Sequence, residues 1–173
     1  MAGKWFKKCD DDVKKIAAGL MFAKYPELVE VDLRIDLIFA HAPPPKEGAQ
    51  KQPALKHHGY PAAGICKINS LEQRVRGLGD VTILLDGDEW PHWSEKRQKA
   101  VIQHELEHVV IQRDKEGQVK ADDIGRPKIK LKNHDWECGG FANIAKEYGD
   151  DAFEKEAMVL VADKYGQLLF PWG

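Results

Sequence analysis

Ser94–Gln112, SEKRQKAVIQHELEHVVIQ, is the segment from which the rest of the chain can be read. Ser94 is a suitable N-cap. Val101, Ile102, Leu106, Val109, Val110 and Ile111 then cover most of the circumference of the helix that would follow, and Lys96, Gln103 and Glu107 form its clear polar stripe. A helix apolar on nearly all sides belongs in the interior of a fold. Inside it stand His104, Glu105 and His108, an H-E-x-x-H pattern. Histidines four apart share one helical face, one turn above each other, so both imidazoles can reach one cation. Glu105 is rotated by about 100° from His104 and can flank that cation without binding it. Nitrogen donors suit Zn2+, which in hydrolytic sites keeps an open position and brings the pKa of its water to about 7. Buried polar groups left unpaired cost about 1–3 kcal/mol each. A metal would satisfy all three.

Two histidines do not complete such a site. The extended form of the motif would require glycine at Ile111 and histidine at Asp114, and without the glycine the chain cannot readily fold a ligand back. Asn133-His134-Asp135-Trp136-Glu137 is the better source. His134 offers the same donor type as the first two and is the preferred third ligand. Glu137, about one turn on, is the alternative ligand. Asp135 is a candidate to accept a hydrogen bond from the free ring N–H of a ligand. His57 and His58 read as loop residues. His92, between Trp90 and Trp93, reads as structural and is the first choice for a helper on the substrate side. Cys138 reads as a small buried residue.

Around this segment the pattern predicts helices over about 12–25, from Asn133 to about Tyr148-Gly149, and from about Asp151 to Tyr165. Strands are expected at Leu33–Ala40, Gly64–Ile68, Asp80–Leu85 and Lys128–Lys132. Val81–Leu85, just ahead of the motif helix, is the expected edge strand against which an extended peptide could pair. Residues 43–58, rich in proline, lysine and glutamine, read as a surface loop, and 166–173 as an apolar tail packing back on the domain.

The totals narrow the field. At 173 residues, 43% apolar and 31% charged, one globular domain over 1–173 is expected. A net charge of -2 argues against a nucleic-acid surface, and Lys128, Lys130 and Lys132 read as the solvated face of a strand. Three cysteines without a C-x-x-C pair fit neither a zinc ribbon nor a disulfide framework and point to a reducing, cytoplasmic compartment. The N-terminus is a poor match to a secretory signal, and no apolar run reaches bilayer length.

Gly79-Asp80-Val81-Thr82-Ile83-Leu84-Leu85-Asp86, the His104–His108 motif, and His134-Asp135 ahead of Tyr148-Gly149 together resemble the metallopeptidase family found in phages and prophages. The resemblance spans about residues 30–150. It implies His104, His108 and His134 as zinc ligands and Glu105 as general base. It also implies a compact α+β, zincin-like domain: a small twisted mixed sheet, a central H-E-x-x-H helix packed on it, and C-terminal helices. The expected activity is zinc-dependent hydrolysis of a protein or peptide in the bacterial host cytoplasm, through a water activated by Glu105. The rival expectation is a zinc-stabilised binding or regulatory protein that acts on a host factor without turnover.

Overall fold

The computed structural model describes residues 3–135, 140–156, 158 and 159. At its centre is a mixed sheet of β1 (Trp5–Lys8), β2 (Ile35–His41), β5 (Gly64–Ile68) and β6 (Val81–Asp86), in the order β1-β2-β6-β5. β2 and β6 run parallel, in register from Ile35↔Val81 to Ala40↔Asp86, while β1 and β5 pair antiparallel at the two ends. The fold class is α+β, as expected. Val81–Leu85 is nevertheless not an edge. All six residues of β6 are buried, because the strand is flanked on both sides and covered on both faces. Among the described residues, the unpaired sheet edge next to the motif helix belongs to β5.

Helices α1 (Asp11–Lys24) and α4 (Glu95–Glu107) pack together on one face of the sheet. α1 buries Val13, Ala17 and Leu20, one helical stripe, and Pro26 opens the short α2 (Pro26–Glu30). Val81, Ile83 and Leu85 join the core with Val13, Ala17, Val101, Ile102 and Leu106. Leu84 packs instead with Ala40 and Leu55, in line with the two-residue period of a strand. Leu55 lies in the expected surface loop 43–58, so that loop covers sheet as well as meeting solvent. The same loop leads into a hairpin of β3 (Lys56–His57) and β4 (Tyr60–Pro61), turned by His58 (φ 48°) and Gly59 (φ 87°). A capping box at Ser70 and Gln73 begins α3 (Leu71–Val75).

Ser94 does cap α4, its side chain accepting from Arg97 N–H at 3.1 Å. The helix ends earlier than its periodicity suggests. Val109–Ile111 leave it as β7 and pair antiparallel with β8 (Ile129–Leu131). Three successive β-branched residues are poor helix formers and good strand formers, and a partner strand is available. The helix expected from Asn133 begins only at Ala142, as α5 (Ala142–Tyr148), and stops on Gly149 at φ 58°. A 3-10 turn at Gly149–Asp151 leads to helical residues 153–156. Residues 158 and 159 are helical too, while 157 and 160–165 of the helix expected to Tyr165, Glu137, Cys138 and the 166–173 tail lie outside the described residues. Cys9 and Cys66 are buried free thiols. Among the described residues no helix is long and apolar enough to cross a membrane.

Candidate metal centre

Two segments bring the candidate ligands together at the C-terminal end of α4. His104 and Glu105 come from its last turns, and His108 is its C-cap residue. His134 comes from the chain that follows β8. Each of the three histidines offers a ring nitrogen, and these atoms lie within 4.8 Å of one another. His104 Nε2 and His134 Nε2 are 3.1 Å apart. Two nitrogens bound at about 2.0–2.1 Å to a tetrahedral zinc would stand about 3.3 Å apart, so the spacing suits a shared cation.

Hydrogen bonds fix which nitrogen of two rings is free. His108 Nδ1 lies 2.8 Å from the Lys132 carbonyl oxygen. A carbonyl only accepts, so the proton is on Nδ1 and the Nε2 lone pair is open. Lys132 N–H donates back to the His108 carbonyl at 2.7 Å, which clamps the end of α4 to the end of β8. His104 Nδ1 is 2.6 Å from Glu154 Oε1, and a carboxylate there holds the proton on Nδ1 in the same way. Two imidazoles are thus oriented with Nε2 as donor, the arrangement typical of metal-ligating histidines. For His104, burial pushes the pKa down, and the Glu154 hydrogen bond together with the charges of Glu105, Glu154 and Glu107 more than reverses it. For His134, burial and then the charges of His104 and His108 bring the pKa down to about 4, which keeps that ring neutral and able to donate an electron pair.

Phe141 forms the wall on which all three rings rest. It is fully buried, with ring centroids 5.0 Å from His104, 4.9 Å from His108 and 5.1 Å from His134. Asp135 secures this loop: its N–H donates to the Gly140 carbonyl at 3.0 Å, and Oδ2 accepts from Ala142 N–H at 3.1 Å. Behind α4, Gln103 accepts from Tyr148 Oη at 2.6 Å and Tyr25 Oη donates to Glu107 at 2.9 Å. Gln103, expected on an exposed stripe, is therefore a buried partner of α5.

Glu105 is 3% exposed and turned towards β5. Burial raises its pKa to about 7, against the charge of His104 and a hydrogen bond from the Cys66 backbone N–H. Gly64 makes the approach possible: a Cβ there would lie 2.6 Å from Glu105 Oε1.

Residues 4–163 match the family model described as "Putative phage metallopeptidase". The chain belongs to that family. No curated protein and no solved structure matches it.

Within this phage metallopeptidase fold, the three histidines singled out in the sequence come together, with Glu105 beside them. Asp135 is placed differently from expectation. Its carboxylate serves Ala142 N–H and lies 3.5 Å from Lys132 Nζ, while Glu154 and the Lys132 carbonyl orient the rings. Glu154 was missed, because nothing in Phe153-Glu154-Lys155-Glu156 distinguishes it from a solvated helical acid. His92 is exposed on a 3-10 turn, outside the histidine cluster that the described residues form. The neighbouring imidazole is His57, whose charge contributes to lowering both His108 and His134.

Proposed function

We propose that the chain is a zinc-dependent peptidase whose metal is held by His104, His108 and His134 and whose proton carrier is Glu105. The observation that carries this reading is the convergence of three imidazoles, two with their Nδ1 protons committed to Glu154 and the Lys132 carbonyl, beside a buried glutamate. An all-nitrogen donor set favours zinc over magnesium or calcium, which prefer oxygen. When bound, the ion would supply Lewis acidity to a scissile carbonyl and acidify the attacking water.

The chain's own groups account for the proton traffic. With a pKa near 7, the Glu105 carboxylate can accept a proton at Oε1 or Oε2 and release it to the departing amine. The Cys66 N–H and the closeness of Gly64 hold that carboxylate in one place. Glu154 and Lys132 keep two ligating rings from rotating. The free edge of β5, rather than β6, is where an extended peptide would pair, directly alongside Glu105.

Hydrolysis of a broad peptide library by zinc-loaded protein tests this reading. Wild type should cleave, and Glu105→Gln should keep its zinc while losing activity by at least about a hundredfold. Zinc-loaded wild type and Glu105→Gln that are equally inert would instead support a binding protein without turnover.

A further inference from the structure

A cavity lies two turns up α4 from the histidines. It has a volume of about 420 Å3, within the range of ligand-holding clefts. Pro53, Ala62, Ala63, Trp93 and Phe153 supply its apolar lining. Two of these border the candidate centre along the chain: Ala63 precedes Gly64, which abuts Glu105, and Phe153 precedes Glu154, which holds His104. Arg97, also in the lining, is seven residues before His104 on the same helical face, a rise of about 10 Å. An extended peptide advances about 3.3–3.6 Å per residue, so the cavity is within about three residues of a bond positioned at the histidines.

The charges in this cavity are unevenly committed. Asp88 Oδ1 is 2.8 Å from His41 Nδ1, and its Oδ2 accepts from Ala42 N–H and lies 3.7 Å from Lys51 Nζ. Glu156 is held by Arg97 through two bonds of 2.7 and 2.8 Å, and the Arg97 guanidinium also lies over the Trp93 ring. Glu89 is half exposed and 3.9 Å from Lys51. Asp86 is different. It is 5% exposed, and its Oδ1 accepts from Asp88 N–H at 3.0 Å and Glu89 N–H at 3.1 Å. Its Oδ2 makes no hydrogen bond or ion pair among the described residues. A carboxylate this buried ordinarily has a cationic partner. Four carboxylates against two cations also leave the lining net negative.

We infer that this cavity receives the lysine or arginine side chain of a peptide substrate, with Asp86 as the residue that selects it. The inference rests on the peptidase reading for what the peptide is doing there. The apolar walls suit the methylene stem of a long basic side chain, and Asp86 Oδ2 suits its charged end. Burial pushes the Asp86 carboxyl up in spite of its two backbone N–H bonds, so an arriving cation relieves a real desolvation cost.

Calorimetry on zinc-loaded Glu105→Gln protein tests the cavity without turnover. The probes are short blocked peptides with arginine at successive positions, each paired with a citrulline twin of the same shape and no charge. At one or more positions the arginine peptide should bind at least about tenfold tighter than its twin. Asp86→Asn, which keeps the Oδ1 acceptor for both backbone N–H groups, should close that gap. Equal affinity for the twins at every position overturns the assignment, as does a gap that survives Asp86→Asn. Hydrolysis of the same peptides by wild type reports separately on the peptidase reading. Arginine-selective binding without hydrolysis contradicts that reading and leaves the cavity assignment standing. Hydrolysis that is indifferent to arginine overturns the cavity alone.

Discussion

Gly64 and Glu105 approach so closely that no side chain fits between them. A Cβ on Gly64 would lie 2.6 Å from Glu105 Oε1 and 2.8 Å from its Cγ. In Gly64→Ala the carboxylate must move, while the backbone of β5 need not. This overpacking should cost about 1–3 kcal/mol of stability, while zinc content should stay close to wild type. Because misplacement by about 1 Å can cost about a hundredfold in rate, kcat on a peptide substrate should fall by about ten- to a hundredfold. Parallel zinc analysis and steady-state kinetics check both halves. Unchanged kcat would mean that Glu105 is not held in its working position by β5.

Glu154 should set metal affinity rather than chemistry. Partners of this kind typically contribute about ten- to a hundredfold in affinity. Glu154→Gln keeps an acceptor for His104 Nδ1 but loses the charge, so chelator competition should show zinc held about ten- to a hundredfold more weakly. With zinc in excess, kcat should recover. Wild-type affinity in the variant would remove Glu154 from the account.

Phe141 links the fold to the site. It is fully buried and touches all three imidazoles, so Phe141→Ala opens a cavity beneath them. A loss of about 3–5 kcal/mol in urea unfolding is expected, together with weaker zinc binding in the fraction that stays folded.

Acid stability should trace to Asp80. Burial pushes this carboxyl up, but hydrogen bonds from the Arg126 guanidinium and the Arg34 backbone N–H, with the charges of Arg126 and Arg74, bring it below its usual value. A folded-state pKa below the unfolded one adds stability that is complete above the unfolded pKa of about 3.9 and is lost as pH falls through the folded value. Asp80→Asn should therefore cost about 3 kcal/mol at pH 7, and its deficit relative to wild type should shrink as pH falls below 4. Urea titrations across pH 2–7 measure this. A deficit independent of pH would assign the effect to packing instead.

The sequence made most of the sheet and the site legible, and its failures have physical causes. β2, β5 and β6 follow from local apolar patterning, and Ser94 marks the start of α4 because an N-cap is a local hydrogen bond. His104 and His108 are legible because helical geometry alone places them together. Val109–Ile111 read as helix because apolar residues continue the stripe, and only their pairing with Ile129–Leu131 shows otherwise. Val81–Leu85 reads as an edge because it stands next to the motif helix in sequence, whereas its largely apolar run, broken only by Thr82, is what a strand covered on both faces looks like. The Glu154–His104 bond joins residues 50 apart in sequence, and no local pattern encodes it. The same holds for Gly64, whose reason for being glycine is a side chain on another element.

X-ray absorption at the zinc edge of the zinc-loaded protein tests the central claim most directly. The account predicts one zinc per chain with three imidazole nitrogens at about 2.0–2.1 Å, dropping to two in His134→Ala. A zinc shell of oxygen alone, or a spectrum unaffected by His134→Ala, would contradict it.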